Sequence, residues 1–219
     1  MKNQKDRVPL EHYKAKFAAL DPADVSRRCM VAFTREDGLF SLTVLGQTLR
    51  VRWPVFSLTP VDASRCPGAL YGAAARILII RYLIGGSCVP STGRFLSYRE
   101  LPWGEVYARN FDARCVRRLA VTFGARLVEF SMAARYLAGT GVGSGDAAAE
   151  LPFLPELRIR LILRAGDEEF PPNAQFLFSD NAALAFSAED LAVVGDIVVS
   201  ALKETVSLQR SASHREEFR

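Results

Sequence analysis

The chain has 219 residues, of which 49% are apolar and 24% charged, with a formal net charge of +4. That is an ordinary globular balance with apolar surface enough for a sizeable core, so neither disulfides nor a structural metal is needed for stability. The four cysteines stand at positions 29, 66, 88 and 115 with no C-x-x-C pair, which is neither zinc nor iron–sulfur spacing and implies a reduced, cytoplasmic protein.

Charge is distributed unevenly. Residues 1–110 carry 16 Lys/Arg against 9 Asp/Glu, and residues 111–219 carry 12 against 15. A basic front and an acidic back can steer an anionic partner to one face, although scattered solvated charge is the plainer reading. The N-terminal stretch MKNQKDRVPLEHYK has no apolar leader core. The longest apolar run, around Ala73–Ile84, is interrupted by Arg76 and Arg81, so no membrane span is expected.

In chain order, Glu11–Leu20 reads as a short helix, and Asp21-Pro22 supplies an N-cap and a first-position proline for a second helix ending near Cys29. A three-stranded meander follows. Met30–Arg35 is its first strand, Asp37-Gly38 a turn, Leu39–Leu45 the second strand, and Gly46-Gln47 another turn. Thr48–Trp53 alternates Leu49, Val51 and Trp53 with Arg50 and Arg52, the pattern of a half-buried strand. Pro67–Ile84 is a helix stopped by Gly85-Gly86. A loop, Ser87–Arg94, leads to a short extended piece at Phe95–Tyr98 and then to two helices broken near Phe123-Gly124.

The glycine-rich stretch Gly139–Glu150 is expected to be a flexible loop. Leu157–Leu163 and Gln175–Phe178 read as strands, and Ala188 to about Thr205 as a buried helix capped by Ser187 and Asp190. The expected fold is therefore α+β, with an antiparallel sheet made of the meander plus two C-terminal strands and packed against several helices. Residues 1–206 are expected to form one domain, and 207–219 a disordered polar tail.

Motifs with known chemistry are sparse. The only histidines, His12 and His214, lie near the termini, so a Ser-His-Asp or Cys-His constellation finds little support. The glycines of 139–145 do not fit G-x-G-x-x-G, and no phosphate-loop motif is present. Arg114, Arg117 and Arg118 share a helix face, but no aromatic stacking pattern accompanies them, so nucleic-acid binding is disfavoured against a solvated face. The loop Ser91-Thr92-Gly93-Arg94 can present hydroxyls, backbone N–H groups and a guanidinium to an anion. The acidic residues Asp167, Glu168, Glu169, Asp180, Glu189 and Asp190 can converge if strands and helix pack together, which suits Mg²⁺ or Ca²⁺, yet turn and capping roles account for most of them.

The stretch GDEEFPPNAQFLFSDNAALAFSAEDLAVVG, with ILIIRYLIGG, PSTGRFLSYRELPWGEVY, RRLAVTFG and LFSLTVLGQTLRVRWP, resembles the prokaryotic family called domain of unknown function 3786. The likeness extends over most of residues 5–205. It implies an uncharacterised protein of anaerobic bacteria and archaea, with a link to metal or corrinoid one-carbon chemistry through members that carry an extra iron–sulfur segment. This chain lacks that cysteine-rich segment, and the family establishes no catalytic residue to carry over.

The expectation is a cytoplasmic domain that binds a partner protein or a small anionic ligand without catalysis. The candidate cleft combines Ser91, Thr92, Arg94, Arg99 and Glu100 with Asp167, Glu168, Glu169 and Asp180; no cofactor is identified. The alternative is a metal-dependent enzyme in which the carboxylates at 167–180 act as ligands or bases and Arg94 or Arg99 as electrostatic stabiliser.

Overall fold

The computed structural model describes residues 4–217. Helices α1 (Gln4–Ala18) and α2 (Pro22–Cys29) precede a four-stranded antiparallel meander, β1 (Ala32–Thr34), β2 (Leu39–Val44), β3 (Gln47–Arg52) and β4 (Ser57–Pro60), in the order β1-β2-β3-β4. Its register aligns Phe33 with Phe40, Phe40 with Val51 and Val51 with Leu58. Strand alternation therefore collects these four on one face, while Arg50 and Thr59 face the opposite way into solvent. Phe17 of α1 closes over the apolar face, 6.2 Å from Phe40 and 5.4 Å from Phe56 between ring centroids.

A 3-10 turn at 68–70 leads to α3 (Ala73–Gly85) and then to β5 (Phe95–Ser97). Next, α4 (Gly104–Phe111), a π-helical turn (Asp112–Val116) and α5 (Arg117–Phe123) run on as one helix, followed by α6 (Leu127–Tyr136). The remaining elements are β6 (Thr140–Gly141), β7 (Ala147–Pro152), β8 (Arg158–Arg164), β9 (Asn173–Ser179), the single turn α7 (Ala182–Ala185) and α8 (Ala188–Glu217). The second sheet is antiparallel in the order β5-β9-β8-β7-β6.

The α+β class is as expected, and four features differ from the sequence reading. The strands form two sheets instead of one. An unforeseen strand, β4, occupies the free edge of β3, and the C-terminal strands pair with β5 and β7 instead. The stretch expected to be a flexible loop at 139–150 is mostly the hairpin of β6 and β7; its alanines and glycines have low strand propensity, and pairing with β8 overrides it. The last helix continues to Glu217, where a disordered tail from residue 207 was expected. Propagating a formed helix costs little, and Arg210 anchors it to Glu129 of α6 at 2.8 Å. Phe218 and Arg219, the end of that tail, lie outside the described residues. Helix α3 buries Ala75, Leu78, Ile79, Ile80, Tyr82 and Leu83, while Ala73 and Ala74 face outward.

The stretch Gly68–Gly85 is apolar enough by length and composition to cross a bilayer. In the fold it packs against protein, and its Arg81 pairs with Asp190 of α8 at 3.0 Å. The end of α3 also fixes α2: the Arg28 guanidinium donates to the carbonyls of Leu83 (2.8 Å), Ile84 (3.3 Å) and Gly86, and the Tyr82 hydroxyl donates to the Cys29 carbonyl at 3.0 Å. These bonds satisfy carbonyls that have no partner within the helix.

Helix α8 lies against α3 on one side and the α4–α6 group on the other, burying Leu191, Val194, Ile197, Val198, Val199, Ala201 and Leu202. It comes close to the π-helical turn at Gly195, where a Cβ would stand 2.8 Å from both the Cys115 sulfur and the Phe111 ring. Gly195→Ala is therefore expected to lower the unfolding free energy by about 1–3 kcal/mol through overpacking. At Gly85 an added Cβ meets nothing within 4 Å. Gly85→Ala should be neutral or stabilising by up to about 1 kcal/mol. Urea denaturation of the two variants checks the contrast.

Candidate ligand-binding cleft

The loop and carboxylates singled out in the sequence separate into two places at opposite ends of β9. At its C-terminal end the Asp180 N–H donates to the Arg94 carbonyl at 3.1 Å, prolonging the β5–β9 pairing. The Asp180 carboxylate accepts the Ser91 hydroxyl at 2.7 Å, the Thr92 N–H at 3.1 Å and the Thr92 hydroxyl. The Gly93 N–H donates to the Ser91 hydroxyl oxygen at 3.0 Å. The loop is thus a small anion nest, and the anion it holds is the protein's own carboxylate. Hydrogen bonds from Ser91 and Thr92 hold the Asp180 carboxyl below its ordinary pKa.

Nearby, Glu100 accepts both the N–H and the hydroxyl of Ser97 at 2.7 Å, completing a capping box that lowers its own pKa. Arg99 pairs with Glu105 at 3.0 Å and Asp112 at 3.1 Å, and the Arg94 charge contributes to the lowering at Glu100.

The other acidic residues lie before β9. Asp167 accepts the N–H groups of Glu169 (2.9 Å) and Phe170 (2.7 Å) in an Asx turn, while Glu168 and Glu169 are exposed. Along β9 the rise of a strand puts this turn about 20 Å from Asp180. The residues read as one cleft from the sequence are therefore not gathered in one cleft. Among the described residues, no three His, Cys, Asp or Glu side chains are grouped to hold a metal ion.

The arginine stripe is partly engaged: Arg114 (3.1 Å) and Arg118 both pair with Asp196 of α8, and Arg118 also donates to the Ser200 hydroxyl. All four cysteines are free thiols. Burial pushes Cys29 and Cys66 up to about 11 and Cys115 up to about 12, and it raises Cys88 as well, so none is poised as a thiolate.

A concavity that the sequence did not disclose lies between the first turns of α2 and the end of the meander. It encloses about 730 Å³ and is lined on the helix side by Ser26 and Arg27, and on the sheet side by Phe33, Arg35, Gly38 and Trp53. Alternation places Phe33 and Trp53 on the same face as Phe40 and Val51. Phe33 packs on Phe40 at 4.6 Å and meets Trp53 edge-on at 6.2 Å with an interplanar angle of 88°.

The rings are held from behind. The Trp53 N–H donates to the Gly38 carbonyl at 2.8 Å. Gly38 has φ +62°, and a Cβ there would stand 2.8 Å from the Trp53 carbonyl oxygen, so this turn requires glycine. The Trp53 indole Nε1 is buried without a hydrogen-bond partner among the described residues.

The charges around the cleft are unequally committed. Arg27 pairs with Asp24 at 2.7 Å, and Asp21 caps α2 by accepting the Ala23 N–H at 3.0 Å. The Ser26 hydroxyl donates to the Val31 carbonyl. Arg35 is exposed, and no described side chain forms an ion pair with it. The available sequence signal was an aromatic residue ending a half-buried strand opposite an Asp-Gly turn, with an arginine just before that turn.

A family model described as Domain of unknown function (DUF3786) matches residues 21–201. The chain belongs to this family. The DUF3786 match begins at Asp21, so it includes every residue lining the cleft as well as the Ser91–Asp180 nest. No curated protein and no solved structure matches the chain.

The filled nest has a measurable pH signature. Because the folded-state pKa of Asp180 lies below its ordinary value of 3.8, its stabilising contribution is complete above that value and is lost as pH falls through the folded pKa. Asp180→Asn should be less stable than the wild type at pH 7, with the gap closing below about pH 4. Urea midpoints of the two proteins between pH 3 and 7 test this.

Proposed function

We propose that this DUF3786 protein binds a small anionic ligand in the cleft between α2 and the meander, without itself catalysing a reaction on it. One observation carries the reading: a concavity of about 730 Å³ joins two packed aromatic rings to a guanidinium that has no ion-pair partner among the described residues. That volume lies within the usual range of small-molecule sites, which combine apolar walls with a few polar groups fixing orientation.

The other polar groups lining the cleft have structural duties. Asp21 is committed to capping α2 and the Ser26 hydroxyl to the Val31 carbonyl, so neither stands as a free general base. A metal-dependent reaction at 167–180 has less support, because those carboxylates lie at opposite ends of β9. A cytoplasmic setting agrees with four free thiols of raised pKa, and the family resemblance suggests a place beside metal or corrinoid one-carbon chemistry.

The dye 8-anilinonaphthalene-1-sulfonate, an apolar ring system with one negative charge, serves as a first probe. It should bind the folded protein saturably at one site. Arg35→Ala should weaken that binding about tenfold, equivalent to about 1.4 kcal/mol, while Arg117→Ala on α5 leaves it unchanged. Equal binding by wild type and Arg35→Ala would count against the proposal.

A further inference from the structure

The same cleft restricts which anion it can take, and this inference rests on the binding reading above. We infer that its ligand is a planar aromatic ring carrying a single acidic group, with an aryl carboxylate or sulfonate as the simplest form.

The ring preference comes from the wall geometry. Phe33 and Trp53 stand at 88° to one another, so together they offer a ring face and a ring edge at a right angle. A flat guest fits that corner by stacking on one ring and meeting the edge of the other. Aromatic groups favour both arrangements at centroid separations of about 4.5–7 Å. A saturated ring of equal volume gains the burial but neither electrostatic match.

The corner is also preformed. Phe40 backs Phe33 at 4.6 Å, and the Trp53 backbone is fixed to Gly38 at 2.8 Å, so little side-chain order remains to be lost on binding.

The restriction to one charge follows from the guanidinium inventory. Of the two arginines lining the cleft, Arg27 is shared with Asp24 at 2.7 Å, which leaves only Arg35 uncommitted. Asp21 lines the same cleft and would repel a second negative group placed near the α2 end. A planar guanidinium suits a carboxylate or sulfonate, two of whose oxygens it can bind as a fork.

The test compares two sulfonates of the same charge and nearly the same size, naphthalene-2-sulfonate and its saturated counterpart decahydronaphthalene-2-sulfonate. Trp53 fluorescence reports binding in a Trp103→Phe background, which removes the only other tryptophan. Isothermal titration of the wild type provides the affinities independently.

The planar sulfonate should bind about tenfold more tightly than the saturated one, as expected for two aromatic contacts. Phe33→Leu keeps an apolar wall and should reduce that preference to less than threefold. Arg35→Ala should weaken both probes by the same factor and leave the preference intact.

Equal affinity for the two sulfonates, with both weakened by Arg35→Ala, would overturn the aromatic inference and leave small-anion binding standing. Failure of both probes to bind, or binding indifferent to both Arg35→Ala and Phe33→Leu, would overturn both. Naphthalene-2,6-disulfonate binding as tightly as the monosulfonate would overturn the single-charge restriction.

Discussion

The fold depends on how closely α8 approaches the helix formed by α4, the π-helical turn and α5. At Gly195 the two backbones are separated by little more than the Cys115 thiol and the Phe111 edge, and any larger residue on α8 would drive them apart. Helix α3 packs on α8, and β8 and β9 pack on α5. Phe111 passes the constraint on: its ring stacks on Tyr98 at 4.1 Å and meets Phe176 of β9 at 5.3 Å. The Tyr98 hydroxyl returns to α8 by donating to the Ala188 carbonyl at 2.7 Å. The π-helical turn lies where Cys115 faces Gly195, in keeping with the use of such insertions to adjust a helix locally.

Local chemistry was legible wherever a residue type has one dominant use. Asp21-Pro22 starts α2, Ser187 and Asp190 start α8, and alternation along Thr48–Trp53 marks β3. Partner choice was not legible. Nothing in Phe95–Ser97 says that its neighbour is Leu177–Ser179, or in Ser57–Pro60 that it covers the edge of β3. These are tertiary decisions, settled by which edges remain free once the helices have packed. Composition misled at Ala147–Pro152, where pairing with β8 organises residues of low strand propensity.

The candidate site illustrates the same division. Polar residues drew attention in the sequence, and the fold uses several of them to satisfy one another: the nest at Ser91–Gly93 encloses Asp180, and Arg99 is held between Glu105 and Asp112. The aromatic wall of the cleft is built from residues that read only as strand positions. Phe33 and Trp53 are ordinary core-facing residues by pattern, and they line a cavity because α2 leaves that end of the meander open. The charge that distinguishes the place, Arg35, is marked by having no ion-pair partner among the described residues, which only the fold reveals.

The pairing of β5 with β9 carries a consequence for how the protein is made. Phe95–Ser97 emerges from the ribosome about 80 residues before the only strand it pairs with, at a synthesis rate of roughly 5–20 residues per second. Through that interval α4, α5 and α6 have neither the sheet nor α8 to cover their apolar sides. The meander, by contrast, pairs only with itself. Biosynthesis thus divides the chain into a half whose sheet closes early and a half that stays open for several seconds. In the cell, that second half is the part most exposed to chaperones and to misassembly.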